Sequence, residues 1–89
     1  MKVIKIGAVW CAGCLVMKPR WAQIESELSW LQTEYLDYDS DREKVAKYEV
    51  NELLPVFIFL DKNNKELVRL TGEQSKKKLL SIIDQYKGL

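Results

Sequence analysis

The apolar run Val56-Phe57-Ile58-Phe59-Leu60 limits the possible folds more than any other feature of this 89-residue sequence. Successive side chains of a β-strand point to opposite faces of a sheet, so five apolar residues in a row need cover on both faces. Helices on both faces of a sheet usually provide that cover. The run therefore predicts a central strand over residues 56–60.

Patterns in the rest of the chain predict six further elements around this strand. β-Branched and alternating residues indicate strands, and apolar residues that recur every three or four positions indicate helices. In chain order, we predict a strand over 2–7, a helix over 12–31, a strand over 33–38, a helix over 41–48, the strand over 56–60, a strand over 66–71 and a helix from Ser75 to about Tyr86.

Local signals refine these elements. Pro19 falls inside the first helical pattern and predicts a kink or break there. Ser40 precedes Glu43 by three residues, which is the spacing of a capping box. Residues 63–64 are an Asn-Asn pair that favours a turn with positive φ, and residues 51–54 read as a loop. The residues expected to form the apolar stripe of the first helix are Leu15, Trp21, Ile24, Leu28 and Leu31.

The predicted order of elements is β-α-β-α-β-β-α. An early β-α-β unit gives a parallel strand pair joined by a right-handed crossover. The two later strands are joined by a short turn and are therefore antiparallel. The predicted fold class is α/β, a four-stranded mixed sheet with three helices on its two faces, in a single domain over residues 1–89.

Composition and charge exclude several classes of function. The chain has 14 basic and 13 acidic residues, a net charge of +1, so it lacks the excess positive charge that nucleic acids and membrane surfaces attract. No apolar stretch approaches the roughly 20 residues that span a bilayer, and the first residues lack the pattern of a secretory signal. We expect a cytoplasmic protein that binds neither nucleic acid nor membrane, and we expect a monomer.

Two cysteines three positions apart, Cys11 and Cys14, are the main chemical feature of the sequence. They lie where the first strand gives way to the first helix. Unpaired N–H groups and the positive end of the helix dipole stabilise a thiolate there and lower the pKa of a thiol. We predict that Cys11 is the exposed nucleophile, which forms a mixed disulfide with a substrate. Cys14, one helical turn on, is predicted to be the shielded thiol that resolves it.

Two other uses of the pair stay open. Zinc and iron–sulfur sites generally take four cysteine or histidine ligands, and this chain has two cysteines and no histidine, so a metal site would need a second chain. A purely structural disulfide would close a very short loop and would gain little stability. The redox interpretation is the strongest, because a C-x-x-C motif that opens a helix in a βαβ unit is typical of redox proteins.

The segment Trp10-Cys11-Ala12-Gly13-Cys14 resembles the Trp-Cys-Gly-Pro-Cys active-site motif of the thioredoxin family. Pro19 within the first helix, Leu54-Pro55 before the apolar strand and Gly72 after the last strand also match that family. The resemblance runs over nearly the whole chain and implies a thioredoxin-like fold. The family's usual extra N-terminal strand and helix are missing, so the chain is similar in length to a glutaredoxin or a minimal thioredoxin.

The resemblance implies a role for each of these residues. Cys11 and Cys14 would be the catalytic pair. Trp10 would shield them and form part of a docking surface, although a plain packing role in the core is an equal alternative. Pro55 would follow a cis peptide bond opposite the cysteines, and Leu54 would offer backbone hydrogen bonds to an extended substrate segment.

The implied activity is reduction or exchange of protein disulfides. It needs no bound cofactor and no metal, and an external reductase or dithiol donor would restore the dithiol. A glutaredoxin-like, glutathione-dependent reductase is one alternative, although the chain lacks the Pro-Tyr pair that glutaredoxins favour between the cysteines. A non-catalytic binding or redox-sensing module of the same fold is the other.

Two departures from the family pattern bear on this chemistry. Ala12-Gly13 replaces Gly-Pro between the cysteines, which leaves open the direction in which the reduction potential moves. Lys5 stands where the family places a buried aspartate that helps to transfer the proton of the resolving thiol. We expect Lys5 to be exposed, with water or a carboxylate such as Asp37 taking that proton.

Overall fold

A four-stranded mixed β-sheet forms the centre of the structure, a computed structural model that describes residues 1–51 and 53–89. The elements follow in the order β1 (Lys2–Gly7), α1 (Ala12–Glu27), β2 (Gln32–Asp37), α2 (Arg42–Ala46), β3 (Val56–Leu60), β4 (Glu66–Thr71) and α3 (Lys76–Tyr86). This is the order that the sequence predicts. Glu52, in the loop predicted over residues 51–54, lies outside the described residues.

The strand β3 is an inner strand of the sheet, as its apolar run predicts. The strand order is β2-β1-β3-β4, with β1 parallel to β2, β1 antiparallel to β3 and β3 antiparallel to β4. All five residues of β3 are buried, because helices lie on both faces of the sheet. The other inner strand, β1, carries the chain directly to the cysteine pair.

The two faces of the sheet bury separate apolar clusters. One cluster joins the sheet to α1 and α3, and the other joins it to α2. Alternate residues of β1 divide between them: Val3 packs on the α1 side, and Ile4 and Ile6 pack on the α2 side. By the same alternation, Lys5 and Gly7 face α1, and this places them behind the cysteine pair.

Helix α1 is shorter than predicted and unbroken. It ends before Leu28, which leaves helical geometry (φ −119°, ψ 76°) although its N–H still bonds to the O of Ile24 at 2.8 Å. A kink or a break was predicted at Pro19; the helix runs through this residue, so the break is wrong. The helix continues because buried Met17 and Ile24 anchor the turns on both sides of the proline. Leu15, predicted to face the core, is exposed, and Met17 takes that position.

Helix α2 also differs from its prediction. It covers Arg42–Ala46 rather than 41–48, and it begins after Asp41, whose side chain makes no cap bond to the helix. The capping box predicted from Ser40 and Glu43 is therefore wrong. The N–H of Ser40 bonds to Asp37 Oδ1 at 2.9 Å instead, because that carboxylate organises the turn between β2 and α2.

The last hairpin and helix follow their predictions. Asn64, in the turn between β3 and β4, has a φ of 63°, and Ser75 caps α3, since its Oγ accepts the N–H of Lys78 at 3.1 Å. The apolar stripe of α3 is buried against the sheet. Across residues 1–51 and 53–89, none of the helices combines the length and the apolar character needed to cross a membrane.

Candidate active site

The cysteine pair lies at the junction between β1 and α1. Cys11 is the N-cap residue of α1 and Cys14 lies in its first turn; the two form a disulfide, with Cα atoms 5.3 Å apart. The backbone at Cys11 is extended (φ −93°, ψ 111°), and its N–H bonds to the O of Ala8 at 3.2 Å, which closes the turn after the strand. The fold therefore brings the two sulfurs to bonding distance, as the redox interpretation requires.

The sulfur of Cys11 takes the position of an N-cap acceptor. It accepts the N–H of Cys14 at 3.2 Å, one of the four N–H groups that have no partner inside a helix. The first turn of α1, all of it described, contains no acidic side chain that would compete for these donors. An anionic sulfur at this point is stabilised by the hydrogen bond and by the positive end of the helix dipole.

The exposure of the two cysteines differs from the prediction. Cys11, predicted to be exposed, is buried, with 7% of its surface accessible, whereas Cys14, predicted to be shielded, is half-buried. The reason is that Cys14 faces an open groove behind the disulfide, while Cys11 is enclosed at the turn between strand and helix. The predicted asymmetry is therefore wrong for the disulfide-bonded protein.

Trp10 lies on the surface next to the disulfide. It is 55% exposed, so the alternative of a core-packing role is wrong. Its Nε1–H donates to Asp39 Oδ2 at 2.8 Å, and its ring lies edge-on to Tyr38, with centroids 6.2 Å apart. These contacts hold an apolar side chain in the open beside Cys11, in a position suited to contact with another protein.

Pro55 packs against the segment between the cysteines. The Leu54–Pro55 peptide bond is cis, as the resemblance implies. A Cβ placed on Gly13 would meet Pro55 Cδ at 3.2 Å, so a glycine permits this close contact. Leu54 is half-buried and Leu53 is exposed. We call Trp10, Gly13 and residues 53–55 the front surface of the site.

A groove of about 580 Å³ opens beside Cys14, and Pro55 of the front surface also lines it. Cys14 lines it and Cys11 does not. We call it the rear groove. Its polar and close-contact residues are Lys5, Gly7, Cys14, Lys18, Trp21, Glu25, Tyr35 and Asp37.

Lys5 is paired rather than exposed, which corrects the prediction. Its Nζ lies 2.6 Å from Glu25 Oε2, and the two side chains are 17% and 33% exposed. The ammonium also lies 5.7 Å from the centroid of the Trp21 ring. Strand alternation explains the arrangement, because it turns Lys5 toward α1, where Glu25 neutralises a charge that would otherwise be poorly solvated.

Asp37 lines the same groove, but its carboxylate is engaged in the turn after β2. Its Oδ1 accepts the N–H groups of Asp39 and Ser40, both at 2.9 Å. These bonds, that from Ser40 most of all, hold the pKa of Asp37 below its usual value. Asp37 is therefore an ionised turn residue, and its low pKa makes it a weak acceptor for a thiol proton.

Two residues that line the groove together with Cys14, Gly7 and Tyr35, were not predicted as part of the site. A Cβ placed on Gly7 would lie 3.0 Å from Cys14 Sγ and 3.2 Å from the Tyr35 hydroxyl oxygen. The parallel register pairs Lys5 with Tyr35, so the tyrosine leaves β2 on the α1 face and leans toward the end of β1. Only the register reveals that Tyr35 and Cys14 both approach Gly7, although a glycine at the end of a strand is a general sign of close approach.

Metal ligands do not gather elsewhere in the described part of the chain. Within residues 1–51 and 53–89, no three His, Cys, Asp or Glu side chains come together as a potential metal centre.

Comparisons with known proteins agree with this geometry. A model of the Thioredoxin family matches residues 1–85. The chain is similar to the thioredoxin of Fasciola hepatica, with 30% sequence identity, a TM-score of 0.86, and coverage of 97% of this chain and 80% of that chain. No curated protein matches the sequence.

More distant structures share the fold. A thioredoxin-2 described as a component of malaria parasite protein secretion machinery is 23% identical, with a TM-score of 0.88 and coverage of 96% of this chain and 82% of that chain. Mitochondrial thioredoxin 3 of Saccharomyces cerevisiae is 21% identical, with a TM-score of 0.81 and coverage of 94% and 76%. At these identities the likeness supports the fold alone.

Proposed function

This chain belongs to the thioredoxin family and is a thiol–disulfide oxidoreductase; from that premise we propose that it reduces or exchanges disulfides in other proteins, with Cys11 as nucleophile and Cys14 as resolving thiol. One observation carries the assignment of roles. The Cys11 sulfur is the N-cap acceptor of α1 and accepts the Cys14 N–H, so it is the sulfur whose anion the helix stabilises.

In the first step, the Cys11 thiolate attacks one sulfur of a substrate disulfide. A bond forms between Cys11 Sγ and that sulfur, the substrate S–S bond breaks, and the other substrate sulfur leaves as a thiolate that takes a proton from water. The substrate disulfide is thereby exchanged for a mixed disulfide between Cys11 and the substrate.

In the second step, Cys14 loses its proton and attacks Cys11 Sγ. The Cys11–Cys14 bond forms, the bond from Cys11 to the substrate breaks, and the second substrate sulfur leaves as a thiolate. The protein is then oxidised to the disulfide state that the structure shows. An external reductase or dithiol donor restores the two thiols, and the cycle needs no bound cofactor.

The front surface is the proposed docking site for the substrate. Trp10 and Leu53 expose apolar surface there, and such surface favours contact with another protein. Among the described residues, no backbone group pairs with the N–H or C=O of Leu54. Those two groups would pair with an extended substrate segment in the manner of an added strand.

The proposed setting is a reducing compartment, since thiols there are kept available for turnover. We propose the cytoplasm, a monomeric protein, and partners that are protein disulfides and an electron donor rather than nucleic acid or membrane. The net charge of +1 favours neither of those polyanionic partners.

Turnover of insulin disulfides tests the proposal. With dithiothreitol as donor, the wild-type protein should reduce insulin repeatedly, and Cys11→Ser should reduce it no faster than buffer with dithiothreitol. Replacing dithiothreitol with thioredoxin reductase and NADPH, or with glutathione and glutathione reductase, identifies the donor. Efficient turnover with glutathione alone would favour the glutaredoxin-like alternative. Absence of turnover with every donor would favour a non-catalytic module.

A further inference from the structure

We propose that Tyr35 donates a hydrogen bond to the Cys14 thiolate, through a gap that Gly7 leaves in β1, and so speeds release of the substrate. The inference rests on the proposed function, because it concerns the step in which Cys14 resolves the mixed disulfide. It adds to the site a residue that lies outside the cysteine motif.

The geometry begins with the missing side chain of Gly7. A Cβ built at this position would lie 3.0 Å from Cys14 Sγ and 3.2 Å from the Tyr35 hydroxyl oxygen. Both distances are shorter than ordinary van der Waals contact, so any larger residue would occupy the space between the two groups. Since the sulfur and the hydroxyl border the same small space, a side-chain rotation of Cys14 after reduction can bring them together.

Among the other charged side chains of the rear groove, Lys5, Glu25 and Asp37 are already engaged, whereas Lys18 makes no hydrogen bond or ion pair with the described residues. Lys5 and Glu25 neutralise each other at 2.6 Å, and the Asp37 carboxylate accepts two backbone N–H groups. Lys18, from α1, also lines the groove. In the part of the chain that the structure describes, the Tyr35 hydroxyl has no hydrogen-bond partner, so it is free to donate to a new anion.

Trp21 gives an independent sign that this groove accommodates a polar group. Its Nε1–H is buried and, among the described residues, has no hydrogen-bond partner. A buried donor of this kind usually has a water molecule as its partner.

The protonation state of Tyr35 suits a donor. Partial burial, together with the nearby carboxylates of Asp37 and Asp41, raises the pKa of Tyr35 above its usual value. The phenol therefore keeps its proton near neutral pH. No net proton transfer to or from Tyr35 is required, since the O–H group only donates a hydrogen bond while Cys14 attacks Cys11 Sγ.

The expected size of the effect follows from general values. A hydrogen bond to a charged group is worth about one to two pKa units, and we expect the lower value here because Tyr35 is 53% exposed. Loss of the bond should raise the pKa of the Cys14 thiol by about one unit, so that the thiolate becomes about tenfold scarcer. A more basic thiolate is also more nucleophilic, with a Brønsted slope of about 0.4–0.5, so resolution should slow by about threefold.

The decisive experiment measures the pKa of Cys14 in a Cys11→Ser protein, by thiolate absorbance near 240 nm and by the pH dependence of alkylation. Tyr35→Phe in that background should raise the pKa by about one unit. Tyr86→Phe is the matched control, because Tyr86 packs against the core on α3 and loses the same hydroxyl. An equal shift in both variants, or no shift in Tyr35→Phe, would overturn the proposal.

Stopped-flow kinetics on the two-cysteine protein supply the second readout. Tyr35→Phe should prolong the mixed disulfide about threefold and leave the rate of its formation unchanged, while Tyr86→Phe should change neither. Slower formation instead of slower resolution would contradict the assignment to Cys14. If the wild-type protein reduces no protein disulfide, the proposed function fails, yet the pKa comparison still decides whether Tyr35 bonds to Cys14.

Discussion

The front surface is built from loops, whereas residues of β1, β2, β3 and α1 form most of the rear groove, and Pro55 borders both. The front surface exposes the apolar side chains of Trp10, next to Cys11, and Leu53, while Pro55 packs against Gly13. The rear groove, which Cys14 lines, combines an ion pair, a phenol and an indole N–H that has no hydrogen-bond partner among the described residues.

Under the proposed mechanism, this difference divides the reaction between the two regions. The front surface would meet the incoming protein substrate of Cys11. The rear groove would set the ionisation of the Cys14 thiol. Changes in front should therefore alter substrate binding, and changes behind should alter the redox state, the stability or the second step.

Among these variants, Gly7→Ala should cause the largest loss of unfolding free energy. Its methyl group would crowd Cys14 Sγ at 3.0 Å in the disulfide form, and overpacking of this kind costs about 1–3 kcal/mol. The reduced protein should lose less unfolding free energy than the oxidised protein, because an unbonded Cys14 side chain can rotate away from the new methyl group. Guanidinium unfolding of oxidised and reduced protein measures both losses, and equal losses would show that the rear groove does not distinguish the two states.

Lys5→Met should come next, with a loss of about 1–2 kcal/mol of unfolding free energy, because it leaves Glu25 unpaired in a partly buried site. Methionine keeps much of the apolar stem that covers Trp21. Lys2→Met is the control: Lys2 pairs with Glu34 at 2.8 Å on the surface, where such a pair is worth about 0.5 kcal/mol. Equal losses in urea unfolding would remove the distinction between the two pairs.

Trp10→Ala should weaken binding of protein substrates and spare the chemistry. We expect KM for insulin to rise about fivefold, equivalent to about 1 kcal/mol, with little change for a small aromatic disulfide. Trp30→Ala is the matched control, since Trp30 is 50% exposed and borders a separate pocket beside α3. A loss for both substrates alike would mean that Trp10 supports the cysteines rather than docking.

Asp37→Asn should change the stability least, and the change should be visible only in how the stability depends on pH. The pKa of Asp37 is lowered in the folded protein, chiefly by the Ser40 N–H, so its carboxylate favours folding above the unfolded pKa of about 3.9. That stabilisation is lost as the pH falls through the lower, folded pKa. Urea midpoints of wild type and variant should therefore converge below about pH 4, and a constant gap would contradict this cause.

The front surface was largely predictable from the sequence, and the rear groove was not. Trp10, the cysteines and Pro55 lie in short segments that match a known motif, so their proximity follows from local sequence and the family fold. Tyr35 and Gly7 meet only through the register of β1 on β2. The pairing of Lys5 with Glu25 joins a strand to a helix 20 positions away, and no local pattern specifies it.

Two further predictions, for Ser40 and for Leu15, were wrong because a neighbouring residue fits the same local pattern equally well. The Ser40 N–H could bond either to Glu43, in a capping box, or to the carboxylate of Asp37. It bonds to Asp37, because that carboxylate also accepts the Asp39 N–H and so fixes the turn. Leu15 fits a helical apolar stripe as well as Met17 does, and only the position of the sheet decides which of them is buried.

The identity of the sulfur that joins the substrate tests the central claim most directly. Reduced Cys14→Ser and Cys11→Ser proteins would be mixed with a disulfide-bonded peptide near neutral pH, quenched with acid and mapped by mass spectrometry. The helix-capping position of Cys11 predicts a rapid adduct on Cys11 in the Cys14→Ser protein and a much slower one on Cys14 in the other. Faster capture by Cys14, the more exposed residue in the disulfide form, would contradict the assigned roles.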